Sequence, residues 1–342
     1  MKRSYQFNCK ICGNTMVKAG KNSTGKQRYK CNFCNTRTVA KKENKKRQNE
    51  LKLFVKWLID STKVTDKVNM SRSTFYRKTN WCWSVIPKIK SEDISSDFIF
   101  ADATYINRDL CLLIVRNKEY VLGFLWAKSE TEADYYELLK RIKEPQFLIC
   151  DGHKSIVKAA KRLWKNIRIQ RCLVHIEHYA ERKLCKRSPC EINHLFRKHI
   201  NKLSTIDTIR KSNNWVKKFE TLYETHQDFI EEKVPIINLE TGEVKGFYKA
   251  HQNLFTVCNT IRKLLKNNMI FFFLEHSIPN NSNYLEGGIN SPLKNLLRCH
   301  RGISLEHQMR MFEWYLLSRS NTSPIVFINS LDFDILYPKN DN

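Results

Sequence analysis

The chain has 342 residues, of which 42% are hydrophobic, so it can bury a sizeable core over two or three domains. It carries 60 Lys and Arg against 34 Asp and Glu, a net charge of +26. Such a charge repels itself and favours a polyanionic partner. A nucleic-acid partner fits this positive charge better than the alternative, binding to a membrane surface. No apolar run reaches the roughly 18 residues of a membrane span, so we expect no membrane partner.

The positive charge is concentrated at the front of the chain. Residues 1–90 contain 23 Lys and Arg but only 4 Asp and Glu. This segment is therefore the expected electrostatic contact with phosphates, and its binding should depend strongly on salt. The first ten residues, MKRSYQFNCK, lack the apolar core of a signal peptide. We expect a cytoplasmic, reducing compartment, where the 12 cysteines bind metal or lie buried rather than form disulfides.

Four of those cysteines form two pairs near the start of the chain. Cys9-x2-Cys12 and Cys31-x2-Cys34 are separated by 18 residues. Two such turns can present four thiolates to one tetrahedral Zn²⁺, and the spacer supplies the strands of a ribbon. Four unrelated buried cysteines are the alternative, but a segment this polar has no core to bury them. We predict a structural zinc ribbon at residues 1–40, because four protein ligands leave no open catalytic position.

Residues 41–90 are expected to form a helix-turn-helix-like domain. LKLFVKWLID places Leu51, Phe54, Val55 and Leu58 on one helical face, and Ser71 is a good N-cap for the next helix, SRSTFYRK. That second helix could enter a major groove. Its candidate DNA-binding residues are Arg72, Ser73, Thr74 and Arg77. An ordinary helical hairpin with a solvated basic face is the alternative.

Behind this front end the pattern changes to strands. DFIFADATY, LCLLIVR and YVLGFLWAK read as three successive strands, followed by a helix over 130–143. The strand QFLICDG, a helix over 153–164 and the strand IRIQRCLVH come next. Three antiparallel strands followed by alternating helix and strand predict an α/β, RNase H-like mixed-sheet core. Residues 91–176 would form its first part and 278–342 its second.

Residues 177–277 are predicted to be an all-α insertion in that core, with strands conceivable only around 234–247. Within it Trp215, Phe219 and Tyr223 form a stripe at i, i+4 and i+8. Core packing is the default interpretation of this stripe, and stacking on an unpaired base is the alternative.

Three carboxylates are candidates for a catalytic magnesium site. Asp102 lies at the end of the candidate strand FIFAD, Asp151 lies at the end of the buried strand FLIC, and Glu286 begins the last helical block. Mg²⁺ prefers hard oxygen ligands, and two such ions can activate a nucleophile and stabilise a leaving oxygen. Singly, an acid at a strand end is more often a turn or cap residue. Asp109 is the nearest competitor to Asp102, but it falls in a probable turn.

The chain resembles bacterial insertion-sequence transposases of the Mutator-like DDE type that carry an N-terminal zinc ribbon. The likeness covers nearly the whole chain. It rests on the ribbon and on SRSTFYR, ADATYI, LICDGHKSI, QRCLVH, NNSNYLEGGINSPLK and HRGIS. It implies that Asp102, Asp151 and Glu286 bind the catalytic Mg²⁺ or Mn²⁺, and that the all-α insertion lies between the last two. The family often has Gly after its first Asp, where this chain has Ala103.

Two further groups follow from these motifs. Cys172-x2-His175 matches a signature of the family, and could be half of a metal site with His178 or Cys185, or a buried structural pair beside the carboxylates. Glu286, Asn290 and Lys294 are spaced along one helical face, although Pro292 interrupts it. Lys294 and Arg301 are candidate DNA-backbone contacts.

The expected activity is that of a DNA transposase. The enzyme would bind the terminal inverted repeats of its element, hydrolyse phosphodiester bonds and join the freed 3′ ends to target DNA, without a covalent protein–DNA intermediate. Its partners would be double-stranded DNA and other copies of the chain, in the nucleoid. A non-catalytic zinc-ribbon regulator and an RNase H-like nuclease without strand transfer are the alternatives.

Overall fold

The computed structural model describes residues 7–9, 12, 14–39, 42–60, 70–89 and 94–331. The described chain divides into two compact units. One contains the residues up to Ile86 and those from Pro324 onward, and the other spans Pro87–Ser323. None of the helices in the described part of the chain combines the length and apolar character needed to cross a membrane.

The first unit begins with a small antiparallel sheet of four strands in sequential order. The strands are β1 (Phe7–Asn8), β2 (Thr15–Lys21), β3 (Gln27–Cys31) and β4 (Arg37–Val39). The side chains buried with this sheet are Cys9, Met16 and Cys31. A hydrophobic cluster so small cannot stabilise the ribbon alone, which agrees with a metal-dependent fold.

Helices form the rest of the first unit. They are α1 (Lys42–Ile59), α2 (Arg72–Thr79), a 3₁₀ turn (Asn80–Ser84) and the C-terminal helix Pro324–Ser330, which packs against α1. The predicted apolar face of α1 is confirmed, because Leu51, Phe54, Val55 and Leu58 are all buried. The predicted cap is also confirmed, since the Thr74 N–H donates to Ser71 Oγ at 3.3 Å. The turn predicted between the two helices falls at 61–69, outside the described residues.

The second unit is built on a mixed five-stranded sheet, which confirms the α/β prediction. The strands are β5 (Phe98–Asn107), β6 (Leu110–Arg116), β7 (Val121–Ala127), β8 (Phe147–Cys150) and β9 (Arg168–Arg171). Their order is β7-β6-β5-β8-β9, with antiparallel pairing on the β7 side and parallel pairing from β5 to β9. Strand β8 is buried throughout, as its continuous apolar run predicts.

Two strand boundaries differ from the sequence-based prediction. Strand β5 ends at Asn107, two residues beyond the predicted segment DFIFADATY, so Asp102 lies within it and not at its end, because β6 pairs with it along that length. Strand β9 ends at Arg171, so the prediction that IRIQRCLVH is one strand was wrong. Leu173, Ile176 and Ala180 are buried at helical spacing, and this apolar face makes the segment from Leu173 a helix.

Helices surround the sheet and fill the insertion. They are α3 (Glu132–Leu139), α4 (Lys154–Leu163), α5 (Leu173–Lys183), α6 (Glu191–Ile200), α7 (Ile209–Thr225), α8 (Gln227–Glu231), α9 (Gln252–Lys266) and α10 (Phe272–His276). A hairpin of β10 (Lys233–Ile237) and β11 (Val244–Lys249) interrupts them, so the insertion is not wholly helical. Trp215, Phe219 and Tyr223 are buried in the main core, which supports packing rather than base stacking.

The last part of the second unit carries Glu286. It contains α11 (Asn283–Leu285), a π-helical turn (Glu286–Asn290), α12 (Ser291–Cys299) and α13 (Leu305–Ser318). Pro292 lies in the first turn of α12, where its missing N–H breaks no internal hydrogen bond. The helical direction therefore continues from the π turn into α12.

Candidate active site

Asp102 and Asp151 lie side by side on adjacent parallel strands. The parallel register between β5 and β8 ends with Ala101 opposite Cys150. Asp102 and Asp151 are the next residues along the chain, Asp102 within β5 and Asp151 directly after β8. The parallel pairing therefore brings both carboxyl groups to the same end of these two strands. Asp151 Oδ1 accepts a hydrogen bond from the His153 N–H at 2.8 Å, which holds its side chain at the start of α4.

Gly152 permits an arginine to approach this end of the two strands. Its φ is +79°, and a Cβ added to it would lie 1.9 Å from Arg171 Cζ. The backbone conformation and the space both require glycine here. The guanidinium of Arg171, from the end of β9, thus lies over the turn that follows Asp151, and its buried Nε has no hydrogen-bond partner.

Glu286 lies in the π turn, a geometry that is uncommon and often found at functional sites. Four residues later in the same turn, Asn290 Nδ2 donates to Asp102 Oδ2 at 3.3 Å, and Asn290 is buried. Tyr284, which precedes Glu286, stacks on Phe100 of β5 with ring centroids 5.2 Å apart. These contacts dock the Glu286 segment onto the strand that carries Asp102.

His175 links Glu286 to the end of the parallel sheet. Its Nε2 lies 3.0 Å from Glu286 Oε1. On the other side of the ring, Nδ1 lies 3.5 Å from Ser282 Oγ, and the Ser282 N–H donates to Cys172 Sγ at 3.3 Å. The Cys-x2-His signature therefore connects the first turn of α5 to both ends of the segment 282–286.

The electrostatics of this group favour a charged imidazole. A hydrogen bond with Cys172 raises the pKa of His175 to about 9, and the nearby charges of Asp102 and Glu286 act in the same direction. Burial would raise the pKa of Cys172, but hydrogen bonds with His175 and Ser282 outweigh it and the pKa is lowered. His178 and Cys185 are exposed, and among the described residues neither forms a group of three close metal ligands with this pair.

Asp102 stands in a strongly anionic environment. Burial raises its pKa to about 7, and the charges of Asp151 and Glu286 contribute to the rise. Asp102 is thus close enough to both Asp151 and Glu286 for their charges to disfavour its anion. Among the described residues, only the four cysteines discussed below form a group of three or more potential metal ligands within 4.8 Å of one another. The oxygens of the three carboxylates are therefore more widely spaced than those sulphurs. Hard, mutually repelling carboxylates fit a divalent cation such as Mg²⁺, which would offset the repulsion.

Other predicted residues occupy less central positions. Asp109 is exposed in the turn between β5 and β6, away from the strand end that carries Asp151. Lys294 and Arg301 are exposed, on α12 and just beyond it. In α2 the side chains of Arg72, Ser73 and Arg77 are exposed and that of Thr74 is half-buried, while Phe75 is fully buried. The predicted contact residues of this helix therefore share its accessible side.

The four N-terminal cysteines form a separate cluster in the first unit. Their sulphurs all lie within 4.8 Å of one another, with Cys9 and Cys34 at 3.4 Å and Cys12 and Cys31 at 3.4 Å. Hydrogen bonds with Thr36 lower the pKa of Cys34 to about 6, which favours the thiolate that binds metal. Four converging thiols from two turns fit a tetrahedral Zn²⁺, so the group could hold zinc.

Two residues of the site were not predicted individually. Ser282 lies in the motif NNSNYLEGG, but nothing in its spacing indicates that it contacts Cys172 and His175. Arg171 precedes that signature, and its position over Gly152 depends on how β8 and β9 pair. A DG pair at a strand end was the available signal, since such a glycine often admits a close neighbour.

The structure thus has an α/β unit with a mixed sheet and clustered acids at one edge. Residues 115–271 match the model of a family described as Transposase, Mutator family. This match confirms, over residues 115–271, the resemblance to Mutator-like transposases. The matched segment includes Asp151, Cys172 and His175, while Asp102 and Glu286 lie outside it. Among curated proteins none matches the chain.

Proposed function

We propose that this chain is a DDE-type DNA transposase of a bacterial insertion sequence, which cleaves the ends of its element and joins them to target DNA. The observation that carries the proposal is the mutual arrangement of Asp102, Asp151 and Glu286 in a chain with a Mutator-family domain. The order of the sheet, with three antiparallel strands followed by two parallel ones, supports an RNase H-like core.

The three carboxylates would hold two Mg²⁺ or Mn²⁺ ions. Bound ions of this kind activate an attacking hydroxyl and stabilise the departing oxygen. The chain's own part is to orient its ligands. Asn290 donates to Asp102, His153 N–H donates to Asp151, and His175 contacts Glu286. Each carboxylate therefore has a polar partner that restricts its rotation, as is usual around metal ligands.

The first unit would supply recognition of the element ends. The front of the chain holds most of the net positive charge, and the side chains of Arg72, Ser73 and Arg77 are accessible on α2. We assign α2 to a major groove, with Thr74 and these residues at the base edges. The zinc ribbon would stabilise the same unit, and Lys294 and Arg301 would contact the backbone near the carboxylates.

Two DNA ends must be brought together for joining, so the active form is proposed to be a homo-oligomer on DNA, in the bacterial nucleoid. The proposed domain limits are those of the sequence analysis: a ribbon at 1–40, a helix-turn-helix-like domain at 41–90, core segments at 91–176 and 278–342, and an insertion at 177–277.

The test is incubation of the purified chain with labelled duplexes from the inverted repeats that flank its gene, plus target DNA and Mg²⁺. A transposase produces cleaved 3′ ends and products in which those ends are joined to the target. Cleavage without joining would identify an RNase H-like nuclease. Specific binding without cleavage would identify a regulator, and either result would refute the proposal.

A further inference from the structure

A basic pocket lies beside the Glu286 segment. It has a volume of about 470 Å³ and its lining comes from three regions of the second unit. The lining residues are Arg116, Lys118, Glu119, Asn283, Tyr284, Gly288 and Arg319. Three of these are cationic and one is anionic.

The buried side chain of Arg116 forms one side of this pocket. Its side chain donates to three backbone carbonyls, those of Asn117 at 2.9 Å, Lys118 at 2.8 Å and Tyr284 at 2.7 Å. It also passes close to Gly288, where an added Cβ would lie 2.8 Å from Arg116 Nη1. These contacts hold the guanidinium in one place and use most of its donors.

Arg319, the second arginine of this pocket, is accessible to solvent. It is exposed, its Nε donates to the Tyr315 hydroxyl at 3.2 Å, and its guanidinium lies over the Tyr315 ring at 5.2 Å from the centroid. In the described part of the chain no carboxylate forms an ion pair with Arg116 or Arg319. The terminal nitrogens of Arg319 are therefore available to a ligand.

The two guanidiniums lie close enough to oppose each other's charge. Burial, and then the charge of Arg319, lower the pKa of Arg116. Glu119 also lines the pocket, but neither arginine forms an ion pair with it, so the net positive charge of the lining favours the entry of an anion. Because the lining includes Asn283 and a ring of Tyr284 as well, the ligand is one that combines negative charge with hydrogen-bond acceptors.

The pocket is distinct from the carboxylate site. Tyr284 and Gly288 line it, whereas Glu286, midway between them, contacts His175. Residues two apart on a helical turn do not share a face. The same turn thus presents a carboxylate to the proposed metals on one side and borders a cationic pocket on the other.

We propose that this pocket binds a phosphate of the DNA backbone, with Arg319 as the principal contact, Lys118 beside it and Arg116 as a fixed positive wall. This inference rests on the proposed function, because it takes the phosphate to belong to DNA held near the carboxylates. A guanidinium suits a phosphate because its donors form a planar fork. The contact anchors the backbone beside Glu286 and reads no base sequence.

The test compares the salt dependence of DNA binding by the full chain and its variants, by fluorescence anisotropy in Mg²⁺-free buffer without a chelator, with a labelled generic duplex. Loss of one phosphate contact should lower the slope of log K against log salt by about 0.9. Arg319→Gln should show that loss, and Arg319→Lys should restore most of the slope. Arg187→Gln, which removes an exposed charge from the loop after α5, is the matched control.

An unchanged slope in Arg319→Gln, or an equal loss in Arg187→Gln, would overturn the proposal. A second readout is the rise in melting temperature that inorganic phosphate produces in the wild type without DNA. If phosphate stabilises the wild type through Arg319 but the DNA slope is unchanged, the pocket takes free anions and the assignment to DNA is wrong. Binding is measured without Mg²⁺, so this test does not depend on cleavage. An absence of cleavage in the activity assay would refute the proposed transposase function but not the phosphate contact.

Discussion

His175 Nε2 lies 3.0 Å from Glu286 Oε1 and joins helix α5, which follows the parallel sheet, to a π turn more than a hundred residues later. The other side of the imidazole faces Ser282, in the segment that leads into Glu286. The Cys-x2-His signature is therefore placed to orient a carboxylate, and it belongs to no group of three or more ligands within 4.8 Å in the described chain.

Removing this imidazole should weaken metal binding at the carboxylates. His175→Ala frees Glu286 from its partner, and loss of such a partner costs about 10- to 100-fold in metal affinity or activity. The affinity for Mn²⁺ can be measured by calorimetry without DNA. His178→Ala, an exposed position on the same helix, is the control and should bind Mn²⁺ as the wild type does. Equal affinity in the two variants would show that His175 does not position Glu286.

The raised pKa of Asp102 predicts a pH-dependent stability in protein that holds no Mg²⁺ at the carboxylates. Its pKa is 3.8 when unperturbed and about 7 in the fold, because burial and the neighbouring carboxylates disfavour its anion. The folded state therefore binds more protons between these values, and ionisation of Asp102 costs stability as pH rises through them. That cost is absent below pH 3.8 and complete above about pH 7.

Asp102→Asn should consequently be more stable than the wild type at pH 8 in Mg²⁺-free buffer without a chelator, and the advantage should shrink towards pH 4. Thermal melts across this range provide the measurement. Asp109→Asn is the control, since Asp109 is exposed in a turn and should show no such trend. A difference between Asp102→Asn and wild type that does not vary with pH would refute the raised pKa of Asp102.

The cysteine cluster should carry one zinc ion per chain. Cys31 is completely buried in a cluster with little other apolar material, so Cys31→Ser should release zinc and unfold the ribbon. Cys299→Ser, at an exposed position in the second unit, should retain it. Metal analysis and limited proteolysis of residues 1–40 measure both effects. A folded ribbon in zinc-free protein would contradict the assignment.

Gly152 should be intolerant of any side chain. Gly152→Ala places a methyl group against the Arg171 guanidinium and forces a left-handed backbone on alanine, a strain of about 1–3 kcal/mol before any movement of Arg171. Urea denaturation should show this loss of unfolding free energy. Gly246→Ala, where an added Cβ meets nothing within 4 Å, should lose much less. Equal losses at the two positions would mean that Arg171 does not constrain the turn.

Local patterns predicted much of this fold. The apolar stripe of α1, the Ser71 cap, the three-strand meander and the buried strand FLIC each depend on neighbouring residues, and all are present. The end of β9 was missed because the alternating pattern of IRIQR leads into the apolar CLV with no Gly or Pro between them. Only the burial of Ile176 and Ala180 further on distinguishes helix from strand there.

The sequence allowed us to predict the acidic residues of the candidate site, but not the residues that form hydrogen bonds with them. Asp102 and Asp151 stand out because each follows an apolar run in a predicted strand, and Glu286 stands out because it begins the last predicted helical block. The contacts of Ser282 with His175 and of Asn290 with Asp102 arise when distant segments meet, so no spacing in the sequence encodes them. The Arg116–Arg319 pocket was missed for the same reason, since its two cations are about two hundred residues apart.

The most direct test of the account measures cleavage and joining of labelled element ends in Mg²⁺ by Asp102→Asn, Asp151→Asn and Glu286→Gln, with gel-shift binding alongside. Each change keeps the shape of the side chain but removes a charge that would hold the metals. All three should lose cleavage and joining together while still binding DNA, and double variants should lose little more than single ones. Asp109→Asn should remain active. Near-normal cleavage by any of the three folded variants, or loss of cleavage in Asp109→Asn but not in Asp102→Asn, would contradict the proposed carboxylate site.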